Sequence, residues 1–302
     1  MNIYKKTCVY SLLAIFCCFL WGSAFATIKV GYELFRIEGT GSQILFAGMR
    51  FVLAGVYVIA ALCVKNKRLV YPKFKSLGMV CKISLCQTFL QYIFFYVGLA
   101  GTTAVKASLL DGASVFFAII ISSVIFRMEK LTVRKITACI VGFAGIFLIN
   151  INGLSPDINS GDIMLLISSV AYASSSVLIK RYSQSEDPVI ISGYQFVIGG
   201  VLLCAVGLML GGEVNTVTFK GILILMYLAF ISAAAYSIWG ILLKYNPVSK
   251  ISVFSFTIQI FGVVISRIVL AEDITASIFT YIASLVLICG GIYILNRKAE
   301  DD

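Results

Sequence analysis

The sequence contains no histidine and little charge, with 13% Asp, Glu, Lys and Arg. Without imidazole there can be no His-ligated zinc, no Ser-His-Asp triad and no HExxH motif. A soluble domain of this length carries about twice that charge fraction. Proline is scarce as well. Pro72, Pro156, Pro188 and Pro247 fall in loops or at a helix start, so no long apolar run is interrupted by one. The nine cysteines have no CxxC spacing, and all lie in or at the edge of apolar runs, which excludes a metal ribbon and disfavours a disulfide framework. They read as small apolar packing residues. No P-loop and no paired catalytic carboxylates occur, so neither an ATP-driven pump nor an enzyme is expected.

What is abundant is apolar surface. Sixty per cent of the 302 residues are hydrophobic and the mean hydropathy is +1.00. One water-facing core cannot bury so much, and the remaining solvent must be lipid. A hydrocarbon core about 30 Å thick needs roughly 20 apolar helical residues. Ten such runs are read at 8–30, 42–63, 77–99, 103–125, 134–150, 162–180, 188–210, 220–243, 251–270 and 277–295. Inside lipid they must be helices, because every backbone polar group needs an internal partner and no short alternating strands appear. Lys5 and Lys6 before the first run, with Ala24-Phe25-Ala26 inside it, resemble a leader peptide. The run is longer than a usual leader core and is expected to be retained as the first span.

Charge placement gives an orientation. With the N-terminus cytoplasmic, seventeen Lys and Arg fall in inner segments and only Arg36 and Lys220 in outer ones. This is the positive-inside pattern of a multi-pass protein in a cell membrane, expected to be a bacterial inner membrane, with both termini cytoplasmic. The net charge of +10 is thereby a topology signal and not a nucleic-acid footprint.

The chain also repeats itself. Trp21-Gly22-Ser23 through Lys29 parallels Tyr172-Ala173-Ser174 through Lys180, and Gly48-Met49-Arg50-Phe51-Val52 parallels Gly193-Tyr194-Gln195-Phe196-Val197. Tyr92 parallels Tyr236, Lys106 parallels Lys250, Glu129-Lys130-Leu131-Thr132 parallels Glu272-Asp273-Ile274-Thr275, and Gly145-Ile146 parallels Gly291-Ile292. The repeats are placed at 1–152 and 153–302, with five spans each. Five is odd, so the second half must enter the membrane upside down, the arrangement of secondary transporters.

In these features the chain resembles the EamA family of the drug/metabolite transporter superfamily. The marks are Trp21-Gly22-Ser23 with Lys29, Arg50-Phe51, Ala107-Ser108-Leu109-Leu110, Glu129-Lys130-Leu131-Thr132, Gly142, Gly145 and Gly161-Asp162. Family members often carry a proline in the middle of span four, where this chain reads Asp111-Gly112-Ala113-Ser114-Val115-Phe116. The resemblance implies an all-helical membrane protein with ten spans around a central cavity. It also implies export of amino acids, other metabolites or drugs by alternating access, with no cofactor or metal. The partners expected are a small solute, the lipid bilayer and, if transport is coupled, a proton or counter-solute. A non-transporting membrane sensor or assembly scaffold is the alternative. It would be expected to carry a soluble appendage, and the longest loops here run to about a dozen residues.

Polar residues within spans are the candidate site. A charge at the bilayer centre costs roughly 2.5–3.5 kcal/mol and tends to be paired, cavity-facing or functional. Lys29, Lys82, Lys106 and Arg267 lie near span ends, where they can snorkel. Arg50 and Asp111 sit deeper, at matching depth. They read either as a pair joining spans two and four or as a substrate anchor with a protonation switch at Asp111. Gln195 stands at the Arg50-equivalent place, and Gln87, Gln91 and Gln259 are further amides that either line a wet cavity or join helices. Trp21, Tyr172 and Tyr236 are the aromatic pocket candidates, against an ordinary interfacial belt. Substrate-binding residues are thus expected among Trp21, Arg50, Gln91, Asp111, Tyr172, Gln195 and Tyr236, with no catalytic or metal-ligating residue.

Overall fold

The computed structural model describes residues 2–100, 110–150, 158–270 and 278–297, and all regular structure there is helical. Lys106, Ala107-Ser108-Leu109 and Glu272-Asp273-Ile274-Thr275 lie outside the described residues, as does the side chain of Arg267. The chain opens with α1 (Thr7–Phe35) and α2 (Gly39–Asn66). Next is α3, a run over 77–100 built from Leu77–Ile83, a π-helical stretch Ser84–Leu90 and Gln91–Ala100. Then come α4 (Leu110–Ile125), α5 (Val133–Asn150), α6 (Ser160–Tyr182), α7 (Pro188–Met209) and α8 (Phe219–Tyr245). A run over 248–270 forms α9, and α10 is Ile278–Asn296.

Local chemistry sets the helix ends. At α6, Asn159 and Asp162 exchange side-chain and backbone hydrogen bonds in a capping box. Asp187 caps α7, and Pro188, which has no N–H to lose, occupies its first position. Thr218 caps α8 through the N–H of Gly221 at 3.0 Å. At the other ends, α1 and α2 stop where Arg36 and Lys67 turn left-handed, with φ of 50° and 52°.

Among the described residues seven helices are long and apolar enough to cross a membrane: α1, α2, α3, α6, α7, α8 and α9. The helix α4 and the 282–296 part of α10 are shorter apolar helices. Large apolar side chains stand on the outside of the bundle, including Phe19, Val56, Val201, Phe230 and Val286. In water such a surface would aggregate; in lipid it is the ordinary exterior of a multi-pass protein.

Small residues decide which helices meet. Where α2 crosses α7, a Cβ on Gly48 would fall 2.6 Å from the Cys204 nitrogen, and one on Gly200 would fall 2.6 Å from the Val52 nitrogen. Backbone therefore lies on backbone, and dispersion contacts replace a hydrophobic driving force that lipid cannot supply. The α5–α10 crossing is similar, with Gly291 set against the Ala138 carbonyl and Gly145 against that of Ser284. Further close pairs are α1 with α8 and α9, the Gln91–Ala100 part of α3 with α6, and α4 with α6. Hydroxyl, amide and aromatic groups of α1, α2, α3, α6, α7 and α8 converge between these pairs.

Candidate functional site

The middle of the bundle holds a closed ring of aromatics drawn from four helices. Phe51 of α2 meets Tyr92 of α3 at 4.5 Å between ring centres, and Phe196 of α7 meets Tyr236 of α8 at 5.2 Å. Phe51 and Phe196 touch at 5.3 Å, and the Tyr92 and Tyr236 hydroxyls share a hydrogen bond of 3.0 Å. Phe51 is the sequence counterpart of Phe196, and Tyr92 of Tyr236, so residues in register between the halves meet each other here. The indole of Trp21 packs edge-on to Tyr236 and to Trp239, at 5.0 Å from each.

Beside this ring lie two matched polar contacts. Arg50 is buried, with 2% exposure, and its Nε donates to Ser232 Oγ at 2.9 Å. Ser232 in turn donates to the Leu228 carbonyl, which leaves its lone pair aimed at Arg50. Gln195, in the corresponding place, accepts from Thr88 Oγ1 at 2.6 Å and donates to Gln87 Oε1 at 3.1 Å. Gln87 then donates to Ser175 Oγ on α6. Thr88 stands four residues before Tyr92, as Ser232 stands four before Tyr236, so each contact lies about one helical turn from a ring tyrosine.

Arg50 and Asp111 do not pair. Among the described residues the ion pair is Lys135–Glu129, and the Arg50 guanidinium instead lies over the Phe51 ring at 5.3 Å. The reason is lateral: α2 packs on α7, α8 and the second part of α3, whereas α4 packs on α6, α9 and α5. Equal depth along two helices does not make them neighbours. Asp111 is half-buried and lies within electrostatic range of Tyr92 and Tyr172. Arg50 is in the same relation to Tyr32, Tyr92, Tyr96 and Tyr236.

Of the other expected residues, Gln91 and Tyr172 sit at the α3–α6 contact. The Gln91 carbonyl accepts from Ser168, and that of Tyr172 accepts from Ser175 and Ser176. Their side-chain tips differ from those of Gln87 and Gln195. Gln91 Oε1 and the indole N–H groups of Trp21 and Trp239 are buried without a hydrogen-bond partner, and the Tyr172 hydroxyl is buried beside Ser255. Unpaired buried polar atoms are uncommon, and a cluster of them marks a place that water or a solute completes. Gln87 and Gln91 are four residues apart, a spacing that would put them on one face of a regular α-helix. The π-helical stretch Ser84–Leu90 shifts that register, sending Gln87 to Gln195 and leaving Gln91 apart.

Sequence reasoning missed Ser232 and Thr88, and it marked Glu129 as part of a repeated motif without giving it a partner. The first two are lone hydroxyls in apolar helices, a weak signal by themselves. Glu129, which follows α4, accepts the backbone N–H groups of Val248 and Ser249, the Ser249 hydroxyl and, at 2.9 Å, the Lys135 ammonium. It caps the start of α9 from another part of the chain. The same end carries both termini, where the Tyr10 hydroxyl bonds Asn296, Lys180 Nζ bonds the Lys244 carbonyl and Asn246 bonds the Tyr4 carbonyl. Also at this end, Ser123, Arg127 and Leu131 border a shallow, open depression apart from the aromatic ring.

A multi-pass helical bundle with a polar, aromatic centre is the architecture of a membrane transport protein. Comparison with known proteins agrees. The model of the EamA-like transporter family matches twice, at residues 9–151 and 159–297, and the chain belongs to that family. An "Uncharacterized transporter" of Archaeoglobus fulgidus is 26% identical over 97% of this chain and 99% of its own length. "Uncharacterized transporter YvbV" of Bacillus subtilis is 26% identical over 96% and 92%. A solved crystal structure superposes with a TM-score of 0.76 at 16% identity, covering 97% of this chain and all of that one, which speaks to the fold.

Proposed function

We propose that this protein is a secondary transporter that exports a small solute across the cytoplasmic membrane by alternating access. In this reading ten spans form two inverted halves, 1–152 and 153–302, with both termini cytoplasmic. The carrying observation is the central ring, in which Phe51 meets Phe196 and Tyr92 meets Tyr236. Contacts between counterparts are what a two-fold axis in the membrane plane produces. Helix packing supports the same axis: α2 lies on α7 and α5 on α10, while the α3–α6 contact has its counterpart in α8–α1.

Such an axis lets the two halves exchange conformations of similar energy, opening the centre to one side and then the other. In the conformation described, the end with the termini is tied shut by Glu129 and its neighbours. Trp21, Arg50, Gln91, Asp111, Tyr172, Gln195 and Tyr236 line or brace the solute path, and the driving force is a gradient. Purified protein in liposomes is expected to move at least one member of a labelled panel of amino acids, nucleosides and small amphiphiles without ATP. Flux equal to that of empty liposomes for the whole panel, in both directions, removes the proposal.

A further inference from the structure

Resting on that transport reading, we propose that the solute carries an oxyanion beside an aromatic or apolar body, and that Arg50 receives the oxyanion. The argument compares the two halves. Gln195 and Arg50 hold corresponding places, and each binds a hydroxyl four residues before the ring tyrosine, Thr88 or Ser232. A neutral amide therefore suffices to join these helices. The positive charge of Arg50 is not needed for that joint, yet a charge is costly to place at such depth.

No carboxylate pairs directly with the charge: among the described residues Arg50 makes no ion pair, its contacts are Ser232 and the Phe51 face, and Asp111 stands off beyond Tyr92. Hydroxyls and rings stabilise a guanidinium but do not neutralise it. A planar fork of N–H donors matches the two oxygens of a carboxylate or the oxygens of a phosphoryl group. Trp21 packs on the ring tyrosine Tyr236 and on Trp239, and both indole N–H groups are without a partner among aromatic side chains that an apolar body can stack on.

The chain has two tryptophans, Trp21 and Trp239, and both are here, so intrinsic fluorescence reports on the site. The test is a titration of the purified full chain with 3-phenylpropionate, its neutral isostere 3-phenylpropionamide, and phenyl phosphate. An oxyanion is expected to change the fluorescence saturably, at least about tenfold more tightly than the amide. Tighter phenyl phosphate assigns a phosphoryl group, and tighter 3-phenylpropionate a carboxylate. Arg50→Gln, which copies Gln195, is expected to abolish the preference while leaving the elution profile in detergent unchanged. Should it fail to fold, Ser232→Ala, which frees the guanidinium from its brace, is expected to weaken oxyanion binding severalfold.

Equal binding of acid and amide, an unchanged preference in Arg50→Gln, or no saturable response to either anion overturns the proposal. Liposome flux of a neutral solute that is indifferent to Arg50→Gln would leave transport standing and remove the oxyanion. Arg50-dependent binding with no flux of any solute would do the reverse.

Discussion

The end of the bundle where Tyr10 meets Asn296 and the centre of the bundle differ in how their polar groups are partnered. At the end, each oxygen of the Glu129 carboxylate accepts hydrogen bonds, and Lys180, Gln184, Asn246 and Tyr10 all find backbone or amide partners. At the centre, Arg50 has no paired carboxylate, and the tips of Trp21, Gln91 and Trp239 have no hydrogen-bond partner. Most polar groups at the Tyr10–Asn296 end are satisfied, with Arg134 Nε and Ser123 Oγ as exceptions, whereas at the centre the open groups include both indole N–H donors. The comparison therefore separates groups whose loss should cost stability from groups whose loss should cost flux.

The largest effect on stability is expected from Glu129→Gln. It removes the negative charge from the start of α9 and leaves Lys135 without its counter-ion, at a cost of about 2 kcal/mol. A thermal melt in detergent should show a clear fall in Tm, and cysteine labelling near residue 249 should speed up. An unchanged melt would mean that this end is not held by that carboxylate.

Tyr92→Phe sharpens the contrast from the other side. It deletes one hydroxyl from the Tyr92–Tyr236 bond but keeps the ring contacts. Stability should move by less than about 1 kcal/mol, while liposome flux of the identified solute drops several-fold. A Tm loss as large as that of Glu129→Gln would make the centre mere packing and erase the distinction.

The smallest effect concerns Glu186, in the connection between α6 and α7. Burial pushes its carboxyl up, but hydrogen bonds from the Lys73 N–H, the Ser76 side chain and the Asp187 N–H, with the Lys73 charge, prevail and hold it below its usual value of 4.5. A lowered folded value means that the carboxylate contributes stability at neutral pH, and this contribution is lost as pH falls through that value. Glu186→Gln should lower Tm slightly at pH 7 and flatten the Tm-against-pH curve on the acid side. The same acid slope in the variant would exclude Glu186 as its source.

Much of this architecture is legible in the amino-acid order. Hydropathy places the helices to within a few residues: α2 was read as 42–63 and is Gly39–Asn66, and α6 was read as 162–180 and is Ser160–Tyr182. Such agreement follows because lipid permits no other state for an apolar run of that length. Likewise, alignment of the two halves picked out Phe51 with Phe196 and Tyr92 with Tyr236 before either pair was seen in contact. Lateral neighbours were not legible. Depth along a helix is written in the sequence, but which helix stands beside it depends on packing through glycines such as Gly48 and Gly200, and so Arg50 found Ser232 and not Asp111. The π-helical stretch at Ser84–Leu90 was hidden too, since one extra residue per turn leaves no mark on an almost uniformly apolar run.

The contact of Gly48 with Gly200 has a mechanical consequence. With main chain resting on main chain at Gly48 and Gly200, α2 and α7 sit too close to slide past one another, so they behave as a single double-width stave. Whatever rocks in this barrel must rock around that stave, and the hinge is to be sought in its neighbours.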